Sequence, residues 1–307
     1  MPNQSIRKDR WKAHKRCLQL YVLIAIPVIL VIVFGYVPMV GNIIAFQDYS
    51  VRDGIFGSEF VGLKYFKQFL NLPIFFDIVK NTVILSLYGL VAGFPFPILL
   101  ALGFNEIKNQ RVKKFAQTIT YAPYFISTVV IVGILQSVFS YRFGIVNEIV
   151  KLFGGAPIDF MGGVQYFRHL YVWSNIWQGA GYSAVLYIAA LSGIDTSLYE
   201  AATIDGATRL QRVWYIDIPG ILPTIVITLI MSTGSILNIG FEKVFLMQNP
   251  ANYAVSEIIS TYVYKVGVKQ AQFGYSTAIS LFNSVINFLF LFITNEIAKR
   301  CSDTSLF

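Results

Sequence analysis

The sequence predicts an all-α integral membrane protein with six transmembrane helices, and three observations carry that expectation. The 307 residues are 55% hydrophobic and only 13% charged, whereas a soluble domain carries about a quarter charged residues. Six apolar stretches, at approximately 18–42, 79–103, 116–139, 170–193, 221–240 and 276–297, reach the about 20 residues needed to cross the hydrocarbon core. Fourteen of the 24 Lys and Arg fall in the segments 1–17, 104–115, 194–220 and 298–307, and nine fall in the longer segments 43–78, 140–169 and 241–275. Lys80 sits at the start of the second stretch. The denser set should face the cytoplasm.

Taken in order, residues 1–17 form a basic cytoplasmic N-terminus. The run after it is too long for a signal-peptide core and lacks a small-x-small cleavage site, so it reads as a retained first helix. Residues 18–75 comprise that helix and an external loop, in which Leu63 to Leu70 form an amphipathic piece suited to the membrane interface. Residues 76–297 form the main transmembrane domain, and 298–307 a cytoplasmic C-terminus. Prolines interrupt several spans. Pro27, Pro38 and Pro123 fit ordinary helix curvature better than a gating hinge, while Pro95 and Pro97 within one turn must distort the second span. Cys17 and Cys301 are expected on the cytoplasmic side, and cysteines introduced at Ser58 or Asn252 should be reachable from outside.

The segment 194–220 is a polar island between the fourth and fifth spans. Asp195 or Thr196 can cap a short helix carrying Glu200, Ala201 and Ala202. The two alanines permit close approach of another backbone, and Glu200 can pair with a basic side chain on a partner. Asp205 and Gly206 follow, the glycine permitting a turn. Residues 208–216 read as a second amphipathic helix, which Pro219 and Pro223 should end as they launch the fifth span. The spacing from Glu200 through Gly206 to Ile216 and Pro219 resembles the EAA loop of ABC importer permeases, with Ile218 where the family usually has Leu.

That resemblance covers about residues 76 to 297. It is closest to the sugar and oligosaccharide branch, of the LplB-like or MalF-like kind, supported by Trp173 to Tyr182, by Tyr36 to Pro38 and by Phe46. It implies a type I importer fold in a bacterial cytoplasmic (inner) membrane, with both termini in the cytoplasm. It also implies a heterodimer with a second permease, two cytoplasmic ABC ATPase subunits of which one receives this loop, and an extracytoplasmic solute-binding protein that delivers sugar. ATP and Mg would be bound by the ATPase subunits, with no cofactor on this chain, since it lacks a GxxxxGK[ST] phosphate loop.

Polar side chains in hydrocarbon face a protein interior or a watery cavity. Asn175, Gln178 and Tyr182, with Gly179 between them, share a face of span four. Thr228, Ser232, Ser235 and Asn238 do so on span five, and Ser280, Asn283, Ser284 and Asn287 on span six. Amides and aromatic rings suit sugar hydroxyls and C–H faces, so these stripes read as a substrate path, with helix-to-helix hydrogen bonding as the alternative. The Trp173, Trp177 and Gly181 face reads as packing or a subunit interface. The absence of mid-span charge argues against ion coupling and against a charged substrate.

Other classes fit less well. Two cysteines and two histidines, His14 and His169, at unrelated positions give no metal-binding spacing. The net charge of +8 suits contacts with anionic membrane lipid, and no soluble domain exists to bind nucleic acid. No catalytic constellation is readable. The remaining alternatives are the same machinery importing an amino acid, phosphate or polyamine, or a stand-alone channel or secondary transporter, which would need an inverted repeat or intramembrane charge.

Overall fold

The computed structural model describes residues 18–301. Expectations for the segment 1–17, including Cys17, and for 302–307 lie outside the described residues. Only closed backbone hydrogen bonding is tolerated in hydrocarbon, and the described chain is accordingly helical apart from one small hairpin. Helix α1 (Leu18–Val31) continues through a π-turn (Ile32–Tyr36) and the turn Val37–Val40 into a 3₁₀ turn, Gly41–Phe46. The apolar window of Leu20–Phe46 is unburied, so lipid or another subunit must cover it. The hairpin pairs β1 (Gln47–Asp48) with β2 (Glu59–Phe60) antiparallel.

Next, α2 (Lys64–Leu70) turns one face onto the bundle. Its Phe69 is buried and packs edge-on against Phe75 and Phe282. Lys64 and Tyr65 both reach Asp48, at 3.3 and 2.9 Å. Burial, followed by the Asp48 hydrogen bond, pushes Tyr65 up to about 12.

Helices α3 (Phe75–Gly93) and α4 (Pro95–Glu106) form one long span joined at Phe94. The Phe94 N–H still donates to Leu90, so the Pro95–Pro97 distortion is confined to this joint. Helix α5 (Gln110–Tyr121) and the 3₁₀ turn Ala122–Phe125 meet α6 (Thr128–Val138) at a bend of 99°. Pro123 is therefore followed by a sharp break, where gentle curvature was expected. Proline removes a ladder donor, and Ser127 then caps α6 by accepting from the Val130 N–H at 3.4 Å.

Helix α7 (Ile145–Leu152) leads to α8 (Val164–Ser192), the central helix of the bundle. Gly181 is a close-approach point, because a Cβ there would overlap the Thr120 carbonyl. Trp173 and Trp177 stay roughly half exposed, and the Trp173 indole donates to the Tyr88 hydroxyl at 3.0 Å, as a packing or interface face should. After α9 (Thr196–Ile204) and α10 (Arg209–Arg212), a π-turn at Val213–Asp217 runs directly into α11 (Ile218–Gly234). The expected end of the second loop helix at Pro219 does not occur, and Arg209–Gly234 is continuous. The wide turn, closed by Ile218 N–H to the Val213 carbonyl, absorbs the donor that Pro219 lacks.

Short helices α12 (Phe241–Met247), α13 (Tyr253–Ser256) and α14 (Ile259–Tyr264) precede α15 (Phe273–Cys301). The outer loops are less open than expected. Asn252 is fully buried and donates to the Met161 and Met247 carbonyls, each at 3.0 Å, so a cysteine there would not report access.

Three apolar clusters hold the bundle. Leu85, Val132, Phe167, Val172, Val244 and Met247 join α3, α6, α8 and α12. Phe69, Ile78, Ile259 and Ile279 join α2, α3, α14 and α15. Ala101, Leu102, Ala184, Leu191 and Ile221 join α4, α8 and α11 beside the polar loop. Among the described residues four helices are long and apolar enough to cross a membrane, and the bent α5–α6 pair makes a fifth. The expected fourth span, α8, has 29 residues and so the length of a span, but its amide and aromatic positions make it too polar to join that set.

Candidate functional site: a coupling loop and a polar path

The 194–220 loop is built from caps. The Asp195 carboxylate accepts from the Ser197 N–H at 2.9 Å and starts α9, which holds this exposed carboxyl below its usual range. Gly206 closes α9 with φ of +72°, a left-handed conformation that a Cβ would strain. Thr208 and Gln211 then form a reciprocal capping box that starts α10. These caps leave Glu200, Ala201, Asp205 and Gly206 exposed and Ala202 half-buried. Beside them stand Leu198, Ile204 and Leu210, whose side chains are 50, 87 and 73% exposed. Exposed carboxylates beside apolar side chains on a capped helix make this a candidate docking surface. Ile216 is half-buried and Pro219 exposed at the root of α11.

The sequence reading missed how this loop is tied to the bundle. The Tyr199 hydroxyl donates to Asp217 Oδ1 in a short bond, and Asn105 of α4 donates to the same oxygen at 3.5 Å. Asp217 is fully buried, and its Oδ2 has no partner among the described residues. Burial, followed by the Asp217 hydrogen bond, pushes Tyr199 up to about 12. Arg209 adds a longer ion pair with Glu106, at 3.9 Å. The loop is thus tied to both α4 and α11. A lone acid between Ile216 and Ile218 was the available signal.

A cavity of about 870 Å³ opens between α3, α4, α8 and α11. Tyr182 and Ser232 line it, with Tyr124, Tyr187 and Thr228. The Tyr182 ring stacks on Tyr124 at 4.0 Å and 8°, while the Tyr187 and Thr228 hydroxyls lie 2.8 Å apart. Asn175 and Gly179 line a second cavity of about 210 Å³, which shares Gly89, Gly93, Pro97 and Ser183 with the first. Flat aromatic walls with scattered hydroxyl and amide groups suit a polyhydroxylated ligand.

The remaining stripe residues are used differently. Asn283 and Asn287 both donate to Asn238 Oδ1, at 3.1 and 3.0 Å, and Asn287 accepts from the Leu237 N–H at 2.9 Å. This amide cluster ties the unwound end of α11 to α15, which is the helix-to-helix alternative. The Ser235 hydroxyl turns back to the Met231 and Ser232 carbonyls. Gln178 donates to the Ile126 carbonyl at 3.1 Å, at the α5–α6 break.

Lys243 brings a charge against span four that the span-by-span reading did not place there. It is 4% exposed, and its Nζ donates to Asn175 Oδ1 at 2.7 Å and Gln178 Oε1 at 3.4 Å. Both partners lie near the middle of α8. Lys243 follows span five in sequence, so no local pattern reveals that it folds back to span four. No metal-binding group of His, Cys, Asp and Glu exists among the described residues.

Comparison with known proteins places this geometry. Residues 93–303 match the family described as binding-protein-dependent transport system inner membrane component. The chain is 43% identical to the polygalacturonan/rhamnogalacturonan transport system permease protein YteP of Bacillus subtilis, over 94% of this chain and 90% of the relative. It is 39% identical to protein LplB of the same organism, over 99% and 93%. Among solved structures, a chain of a bacterial alginate ABC transporter, in complex with alginate pentasaccharide-bound periplasmic protein, superposes with a TM-score of 0.87. That chain is 36% identical, with coverage of 96% of this chain and 99% of that one.

Proposed function

Because the chain belongs to the family of binding-protein-dependent transport system inner membrane components, we propose that it forms half of the translocation pathway of an ABC importer for sugars or oligosaccharides. It is a sugar ABC transporter permease, as are the relatives it resembles over nearly its whole length. As a transport component it carries no catalytic constellation of its own. The other half of the path is a second permease, and a solute-binding protein delivers substrate from outside. Two ATPase subunits bind ATP and Mg, and one of them docks on the 194–220 loop. Both termini face the cytoplasm with that loop, as basic density supports.

The observation that carries this reading is the exposed, capped helix α9 rooted through Tyr199 and Asp217 in α11. A soluble subunit pulling on Glu200 and its apolar neighbours moves a helix that lines the larger cavity. The test is uptake of labelled oligosaccharide into proteoliposomes holding both permeases, the ATPase and the binding protein. Glu200→Lys reverses a charge on the contact surface, and should abolish ATP-dependent uptake and ATPase retention while the permeases still insert. Uptake at the wild-type rate, at equal protein level, would remove the docking role.

A further inference from the structure

We infer that Lys243, held by Asn175 and Gln178, is a carboxylate-recognition site in the translocation path, so that the imported sugar is an acidic, uronate-bearing oligosaccharide. This rests on the sugar-importer reading and deepens it.

The geometry sets the argument. Gln178 Nε2 is committed to the Ile126 carbonyl, which fixes Oε1 toward Lys243, and Asn175 also offers its oxygen. Two amide oxygens thus occupy two of the three ammonium donors. Among the described residues no carboxylate lies within ion-pair distance of Lys243. Lys265, another poorly exposed cation, has Glu257 at 2.5 Å, whereas the half-buried Arg168 donates to the Asn81 amide oxygen at 2.9 Å. A buried cation without a counter-charge is costly, and an intramembrane one marks a substrate or ion path by default. Asn175 lines the smaller cavity, whose wall shares Gly89, Gly93, Pro97 and Ser183 with the larger one, and Lys243 stands directly behind Asn175.

Access follows from connectivity. Lys243 rides on α12, which joins α11 through the unwound residues 235–240. The helix moved by the coupling loop is therefore the chain neighbour of the one that carries the ammonium, and a shift of α12 against α8 opens the third donor to an arriving anion. A neutral sugar could accept a hydrogen bond from this ammonium but would not neutralise its charge.

Two probes of equal length separate the possibilities in the reconstituted importer: an oligogalacturonide and its methyl-esterified, uncharged form. ATP-driven uptake of each is measured for wild type, Lys243→Gln and Lys243→Arg, each first shown to retain the partner permease and ATPase. Lys243→Gln should lower uptake of the charged probe tenfold or more and change uptake of the neutral probe less than twofold, with Lys243→Arg close to wild type. An equal fall for both probes would make Lys243 a structural strut and overturn the inference. Wild-type uptake of the neutral probe alone would overturn it too, leaving the importer reading intact. Uptake of neither probe by wild type would overturn the choice of acidic sugar, and uptake of neutral maltooligosaccharide in the same vesicles would show that the importer reading survives.

Discussion

At Asp217 a single carboxylate oxygen takes donors from two different elements, Tyr199 on α9 and Asn105 on α4. Hydrogen bonds to a charged group contribute about 1.5–3 kcal/mol, and more is lost when the group is buried. Tyr199→Phe keeps the ring and removes only the donor. We expect the ATPase to copurify as before, while substrate moved per ATP hydrolysed falls several-fold, because α9 can then tilt without carrying α11. An unchanged ratio would mean that the joint transmits no force. Gly206 acts through backbone conformation alone. Gly206→Ala should destabilise the loop by about 1–2 kcal/mol, the cost of a left-handed residue with a Cβ, and reduce ATPase retention. The spacing of Glu200, Gly206 and Pro219 made this loop legible as a capped, exposed turn and a candidate docking surface. Its root was not legible, because Asn105 and Asp217 are 112 positions apart and nothing local pairs them.

At the scale of elements, apolar length announced the spans while hydrogen-bond repair decided their shape. Pro219 neither ended a helix nor kinked it, because a π-turn ahead of it took up the missing donor. Pro123, without such a turn, is followed by the 99° break. Repair depends on which neighbour supplies a donor or acceptor, here Ser127 and Gln178, and that information is tertiary. The same limit hid the packing of α2 and the burial of Asn252. The sidedness of the loops can be tested where the structure leaves them open. Cysteines at Phe56 and Phe153, which are 103 and 89% exposed, should react with an impermeant maleimide in intact cells lacking the native Cys17 and Cys301. A cysteine at Leu210 should react only after permeabilisation. Labelling of the Leu210 site from outside would invert the proposed topology.

Across the whole molecule the polar stripes divide into a cavity wall and a seam, although helical periodicity presented them as equivalent. Tyr182 and Ser232 face the larger cavity, whereas Asn238, Asn283 and Asn287 spend their amides on one another. Periodicity finds the polar face of a helix, but which other helix meets that face depends on the packing of all of them. The division predicts opposite outcomes for two alanine variants. Tyr182→Ala removes a ring from the cavity wall and leaves the α11–α15 seam untouched. Loss of one stacking or hydrogen-bonding contact costs about 1–3 kcal/mol, so uptake at limiting sugar should fall by one to two orders of magnitude. The assembled complex should keep its binding-protein-stimulated ATP hydrolysis. Asn238→Ala leaves two amide donors of α15 without their acceptor where α11 unwinds. Its first effect should be on assembly, seen as a lower detergent-solution melting temperature and weaker retention of the partner permease. Any transport defect in Asn238→Ala should then scale with the amount of intact complex. If Asn238→Ala complexes assemble fully yet bind or move sugar poorly, the amide cluster belongs to the path and the seam assignment fails.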